Sequence, residues 1–127
     1  MKIKLGPLTK VLTALAKGEV EAVGFLLGQK REGEIVCNSL FRAENKLKAR
    51  DLFEIEPWHV VQAYVAAEAY GLEVVALFHT HMFCPPLPSP LDVKGMSKWP
   101  LPWIIACPQE VRAWIVRNGQ VEEVFVD

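Results

Sequence analysis

Glu73-Val74-Val75-Ala76-Leu77-Phe78-His79-Thr80-His81 is the stretch on which the reading of this chain turns. After the leading glutamate come five apolar residues, two of them β-branched, the composition of a short buried strand that ends where the histidines begin. Side chains alternate faces along a strand, so His79 and His81 point to one side and Thr80 to the other. Two imidazoles can then converge on one ion.

Outward from this strand, Met82-Phe83-Cys84-Pro85-Pro86-Leu87-Pro88 contains three prolines. Each restricts its own φ and the backbone of its predecessor, which makes the segment a stiff return loop. Ser89-Pro90-Leu91-Asp92 then has the form of a helix start, with Ser at N-cap, Pro at N1 and Asp at N3. That geometry holds Ser89 and Asp92 together at the mouth of the loop. Both are also ordinary helix N-terminus chemistry, which needs no metal. Taken with the histidines, Asp92 completes two imidazoles and a carboxylate, a donor set suited to a zinc site with three protein ligands and an open fourth position. With Glu21 upstream as a candidate acid/base, the pattern points to a hydrolase.

The flanking segments alternate helix and strand. Leu8, Val11, Leu12 and Leu15 recur at helical spacing, and Gly18 stops that helix. Val20 to Leu27 and Ile35 to Leu40 form neighbouring strands joined by the polar turn 29–34. Pro57 opens a second helix that places Val61, Val65 and Ala69 on one stripe and closes at Gly71. Three further strands follow at Trp103–Cys107, Val111–Val116 and Val121–Val126, with Asn118-Gly119 as a tight hairpin between the last two. The expected architecture is α/β, with a curved mixed β-sheet sandwiched by helices in a single domain over 1–127.

His79-Thr80-His81, seven residues, Ser89, two residues, Asp92, with Glu21 upstream, resembles the motif of the JAMM (MPN-plus) zinc metalloprotease family. Glu21-Ala22-Val23-Gly24-Phe25-Leu26-Leu27-Gly28 looks like that family's glutamate-bearing strand, and Phe53-Glu54-Ile55-Glu56-Pro57 like its approach to the metal strand. Met82 stands where members often carry Pro. The resemblance implies an MPN, cytidine-deaminase-like fold and a zinc ion held by His79, His81 and Asp92. It further implies that Glu21 shuttles protons and Ser89 stabilises an oxyanion while a zinc-activated water attacks a carbonyl. It also implies a substrate: ubiquitin-like modifiers, including small sulfur-carrier proteins of that fold, removed from conjugated proteins, and it is similar to the compact prokaryotic, particularly archaeal, enzymes. The alternative is a non-catalytic MPN-type scaffold or partner-binding module.

Composition bounds the rest. The chain has 127 residues, 51% hydrophobic and 23% charged, with a net charge of −1. Residues 1–50 carry ten Lys/Arg against five Asp/Glu, and residues 51–127 four against ten. Arg42, Lys46, Lys48 and Arg50 concentrate part of the basic excess, as a solvated loop or a docking patch for an acidic partner. The patch is short and lacks interleaved aromatics, which argues against nucleic acid. Residues 1–7 lack the apolar core of a signal peptide, and no run of about 20 apolar residues is present, so a cytoplasmic protein without membrane contact is expected. Apolar strands toward residue 127 allow a homodimer.

Cys37, Cys84 and Cys107 are odd in number and form no CxxC pair, so no disulfide framework is expected. Cys84 is read as a passive thiol in the loop, or else a redox-sensitive group or competing ligand. His59, near the start of the second helix, is read as surface. Among the four tryptophans, Trp99 is the expected exposed one, and Trp58, Trp103 and Trp114 are assigned to packing.

Overall fold

The computed structural model describes residues 1–45 and 55–127. The expectations for Lys46, Lys48, Arg50, Phe53 and Glu54 lie outside the described residues. In chain order the elements are β1 (Lys2–Lys4), α1 (Leu8–Leu15), β2 (Val23–Arg31), β3 (Glu34–Ala43), α2 (Pro57–Ala69), β4 (Glu73–Thr80), α3 (Pro90–Lys98), β5 (Trp103–Ala106), β6 (Val111–Arg117) and β7 (Gln120–Val126). The protein is α/β, with a mixed sheet and helices against it. The sheet does not stay open between helical layers, however. Its order is β1-β3-β2-β4-β5-β6-β7, and β1 pairs in parallel with both β3 and β7 to close a barrel. The three-residue β1 carries no periodicity long enough to be seen in sequence, and it is the strand that turns a curved sheet into a closed one.

The β2–β4 pair sits at the centre and positions the site. The two run antiparallel from Gly28↔Glu73 to Val23↔His79, with a register shift between Leu26 and Leu27. On its other side β4 runs parallel to β5 over Leu77–Thr80. A strand flanked on both sides reads as a continuous apolar run, and β4 is buried from Val74 to Thr80. Two glycines of β2 are required by close approach: a Cβ at Gly24 would collide with the Phe41 carbonyl oxygen, and one at Gly28 with that of Val36.

Apolar side chains gather in two clusters. One includes Leu12 and Ala16 from the first helical segment with Ile3, Val75 and Phe78; the other joins Ala63 and Ala67 of α2 and Met96 of α3 to Phe25, Leu77 and Trp103. Small residues thus face the sheet from α2. The stripe expected to matter there, Val61 and Val65 with Ala69, points outward, beside an exposed Trp58 and Tyr64. The helix is apolar on nearly every side, so periodicity gave no basis for choosing its inner face. Trp58, at 64% exposure, is the exposed tryptophan. Trp99 instead packs on Phe25 with ring centroids 5.9 Å apart. His59 is half-buried and accepts the Glu44 backbone N–H on Nδ1 at 3.3 Å, away from the other histidines. Among the described residues no helix is long and apolar enough to cross a membrane.

Candidate metal centre

Four of the predicted residues meet at the end of β4. His79 is fully buried, and its Nε2 lies 3.1 Å from Asp92 Oδ1. His81 Nε2 lies 3.1 Å from the other oxygen of the same carboxylate. Asp92 therefore bridges the two imidazoles, one oxygen to each, and the rings stand 4.9 Å apart on the same side of the strand. Glu21 approaches from the segment ahead of β2, with Oε1 2.6 Å from His79 Nδ1. One ligand atom each from Glu21, His79 and His81 lie within 4.8 Å of one another. The second Glu21 oxygen, Oε2, is buried and has no hydrogen-bond partner among the described residues.

Ser89 and Asp92 meet the helix-cap expectation in full. The Asp92 N–H donates to Ser89 Oγ at 3.1 Å, and the Ser89 N–H donates to Asp92 Oδ2 at 2.8 Å, a reciprocal capping box at the start of α3. Capping and site are one structure here, because Oδ2 also meets His81. The bond from Asp92 uses a lone pair of Ser89 Oγ and leaves the hydroxyl hydrogen free for another acceptor.

The electrostatics follow from burial against pairing. Burial opposes a charge on His79, but the carboxylates of Asp92 and Glu21 bond to and attract the imidazolium and raise its pKa to about 9. Burial likewise opposes the Asp92 carboxylate, yet His79, His81 and the Ser89 N–H hold it well below the usual carboxylate range. The carboxylate is thus anionic and the imidazole proton-loaded at neutral pH.

The loop between the histidines and α3 is pinned along its length. Cys84 is joined to Cys107 in a disulfide, with Cα atoms 5.4 Å apart. This corrects the expectation of no disulfide: the return loop folds back beside the end of β5, where the His81 N–H also donates to the Ala106 carbonyl at 2.7 Å. Parity and CxxC spacing could not show it, because only the parallel β4–β5 pairing brings positions 23 residues apart together. Cys84 is therefore neither a passive thiol nor a competing ligand. Cys37 is the free cysteine, buried, with its thiol pushed up to about 12. Further along, the Trp114 indole N–H donates to the Pro86 carbonyl at 3.2 Å.

Some residues of the site environment carried no sequence signal. Trp103 stands edge-on to His79, with centroids 5.6 Å apart at 85°, and donates its indole N–H to the Trp99 carbonyl at 3.2 Å. Gly95 of α3 admits that indole, since a Cβ there would lie 2.5 Å from it. A groove of about 450 Å³ opens beside Glu21, lined by Val20, Ala22, Arg42, Ala43, Glu44 and Asn45.

Residues 9–117 match the family described as prokaryotic homologs of the JAB domain. This chain is a prokaryotic JAB-domain protein. A desampylase of Pyrococcus furiosus is 36% identical to this JAB domain over 121 residues, covering 94% of the chain and 84% of that relative. A probable TtuB-protein conjugate cleaving protease of Thermus thermophilus is 37% identical over 65 residues, covering 51% of the chain and 43% of that protein. The crystal structure of a JAB1/MPN domain protein from Archaeoglobus fulgidus superposes with a TM-score of 0.58 at 21% identity, over 99% of this chain and 98% of that one. That structure shares the fold with this JAB domain.

Proposed function

We propose that this JAB domain is a zinc-dependent isopeptidase that removes ubiquitin-like modifiers from conjugated proteins. The observation that carries the reading is the single Asp92 carboxylate set between two imidazoles at 3.1 Å each, with Glu21 against the far nitrogen of His79. Two imidazoles and a carboxylate are donors that zinc accepts, and a buried oxygen of Glu21 left unpartnered among the described residues fits a site that takes further occupants. His79, His81 and Asp92 would hold the ion, which supplies Lewis-acid polarisation and lowers the pKa of water.

The chain's own groups do the rest. Glu21 Oε2 takes a proton from the attacking water and returns it to the leaving amine, a role typically worth about 10²- to 10⁴-fold. Ser89 gives its free hydroxyl hydrogen to the oxyanion, at about 3 kcal/mol for such donors. The groove of about 450 Å³ beside Glu21 suits an extended modifier tail, whose main chain can hydrogen-bond as an added strand. The relatives named for desampylase and conjugate-cleaving activity support this substrate class.

The deciding experiment is incubation of the protein with a panel of ubiquitin-like conjugates, with and without chelator. Cleavage that disappears with chelator and returns with zinc is expected. The Glu21→Gln variant should keep one zinc per chain and lose at least ~100-fold in turnover. Equal turnover by that variant removes Glu21 from the chemistry, and binding of conjugates without cleavage by the wild type favours the scaffold alternative.

A further inference from the structure

Glu21 stands outside β2, just where the β2–β4 ladder ends at Val23↔His79. One residue further the pairing changes character. The Thr80 N–H donates to the Ala22 carbonyl at 3.0 Å, as a continuing ladder would have it. The Ala22 N–H goes instead to the Thr80 hydroxyl, at 2.9 Å. On the other side, the Asn45 side-chain amide donates to the Glu21 carbonyl at 3.0 Å. All of these residues are buried.

The Glu21 carbonyl and the Ala22 N–H are the two polar ends of one peptide unit, which is planar and rotates only as a whole. Two side chains therefore grip the same plate from opposite ends, Thr80 from β4 and Asn45 from just beyond β3. The Glu21 Cα is a corner of that plate, so any displacement of the plate would carry the Cα and with it the carboxylate that meets His79 at 2.6 Å. The threonine placed between the two histidines thus points away from them and still serves the same centre.

We infer that Thr80 and Asn45 are positioning residues which fix the Glu21–Ala22 peptide plane and so aim the Glu21 carboxylate, an inference that rests on the hydrolytic role proposed for Glu21. A misplacement of about 1 Å in a reacting group costs on the order of 100-fold in rate. The loss belongs in kcat, since the side-chain bonds of Thr80 and Asn45 go to the Glu21–Ala22 peptide and not to an imidazole or to the Asp92 carboxylate. Thr80→Val keeps the shape and removes the acceptor, while Thr80→Ser keeps the acceptor.

The test uses the zinc-loaded protein and a ubiquitin-like protein joined through its C-terminal carboxyl to the lysine Nζ of a fluorescent peptide. Thr80→Val is expected to lower kcat by ~10- to 100-fold with KM within about twofold, unchanged zinc per chain, and faster amide exchange at Ala22. Thr80→Ser is expected to restore kcat, and Asn45→Ala to fall in the same direction as Thr80→Val. In a Glu21→Gln background, Thr80→Val should cost nothing more, because the group it aims is already silent. Wild-type kcat in Thr80→Val, an equal loss in Thr80→Ser, or loss of zinc with the loss of activity would overturn the inference. If Thr80→Val does not fold, Asn45→Ala carries the same comparison. A fully active Glu21→Gln variant would instead sink the parent reading, which is a separate outcome.

Discussion

Helices α2 and α3 flank the same sheet and are held to it by opposite means. The nine-residue α3 is tied at its first turn by a reciprocal capping box and by the contacts of Asp92 to both histidines, and a turn later by an indole lying in the notch of Gly95. The thirteen-residue α2 has no side-chain cap and rests on Ala63 and Ala67, with larger apolar side chains turned outward. Polar bonds of fixed direction set both the position and the rotation of α3 at its start. Non-directional packing of small residues only sets how close α2 lies. Directional bonding is thus concentrated at the helix that carries the proposed ligand.

The sharpest way to break this contrast is Asp92→Ala. It removes the reciprocal half of the capping box, the bridge between the imidazoles and a proposed ligand together, while the residue-92 N–H keeps its bond to Ser89 Oγ; stoichiometric zinc should be lost by elemental analysis, with about 1 kcal/mol of stability lost with the Ser89 N–H bond. Retained zinc would reduce α3 to a merely capped helix.

Proton competition should give the next largest effect. A metal takes the neutral imidazole, whereas His79 in the metal-free protein holds its proton up to about pH 9. Zinc affinity should therefore rise roughly tenfold per pH unit from 7 toward 9, with a proton released on binding, measurable by calorimetry in two buffers of different ionisation enthalpy. For the metal-free protein the sign is reversed. Its folded His79 pKa exceeds the ordinary value of 6.5, so that stabilisation is complete below pH 6.5 and is lost as the pH climbs through about 9.

On α2 the effects should be smaller and purely steric. Ala67→Leu forces extra methylenes between helix and sheet and should cost about 1–3 kcal/mol in denaturant unfolding, with zinc content unchanged. Smallest of all, Val65→Lys on the outward face should change stability by no more than about 0.5 kcal/mol. A large loss there would mean that α2 depends on its exposed stripe.

The same contrast explains what could be read from the residues alone. α3 was legible because two residues of its start signal, Ser89 and Asp92, also belong to the motif. β4 and the hairpin at Asn118-Gly119 were legible because their signals are local, and the sheet places them as expected. The inner face of α2 was not, since its apolar residues surround the axis. Barrel closure, the Cys84–Cys107 link and the packing of Trp99 each depend on which distant strands become neighbours. Thr80 and Asn45 were passed over for a related reason. Their partners are backbone groups of the Glu21–Ala22 peptide, and a main-chain hydrogen bond leaves no mark on the sequence.

The short β1 has one more consequence, for behaviour outside the active centre. Residues 2–4 are all that separates β3 from β7, and Ile3 is completely enclosed between them. Peeling those residues away would uncover two rows of vacant amides and carbonyls at once, the kind of surface on which one molecule recruits another into a growing ladder. Residues 2–4 therefore keep the edges of β3 and β7 paired as well as closing the barrel.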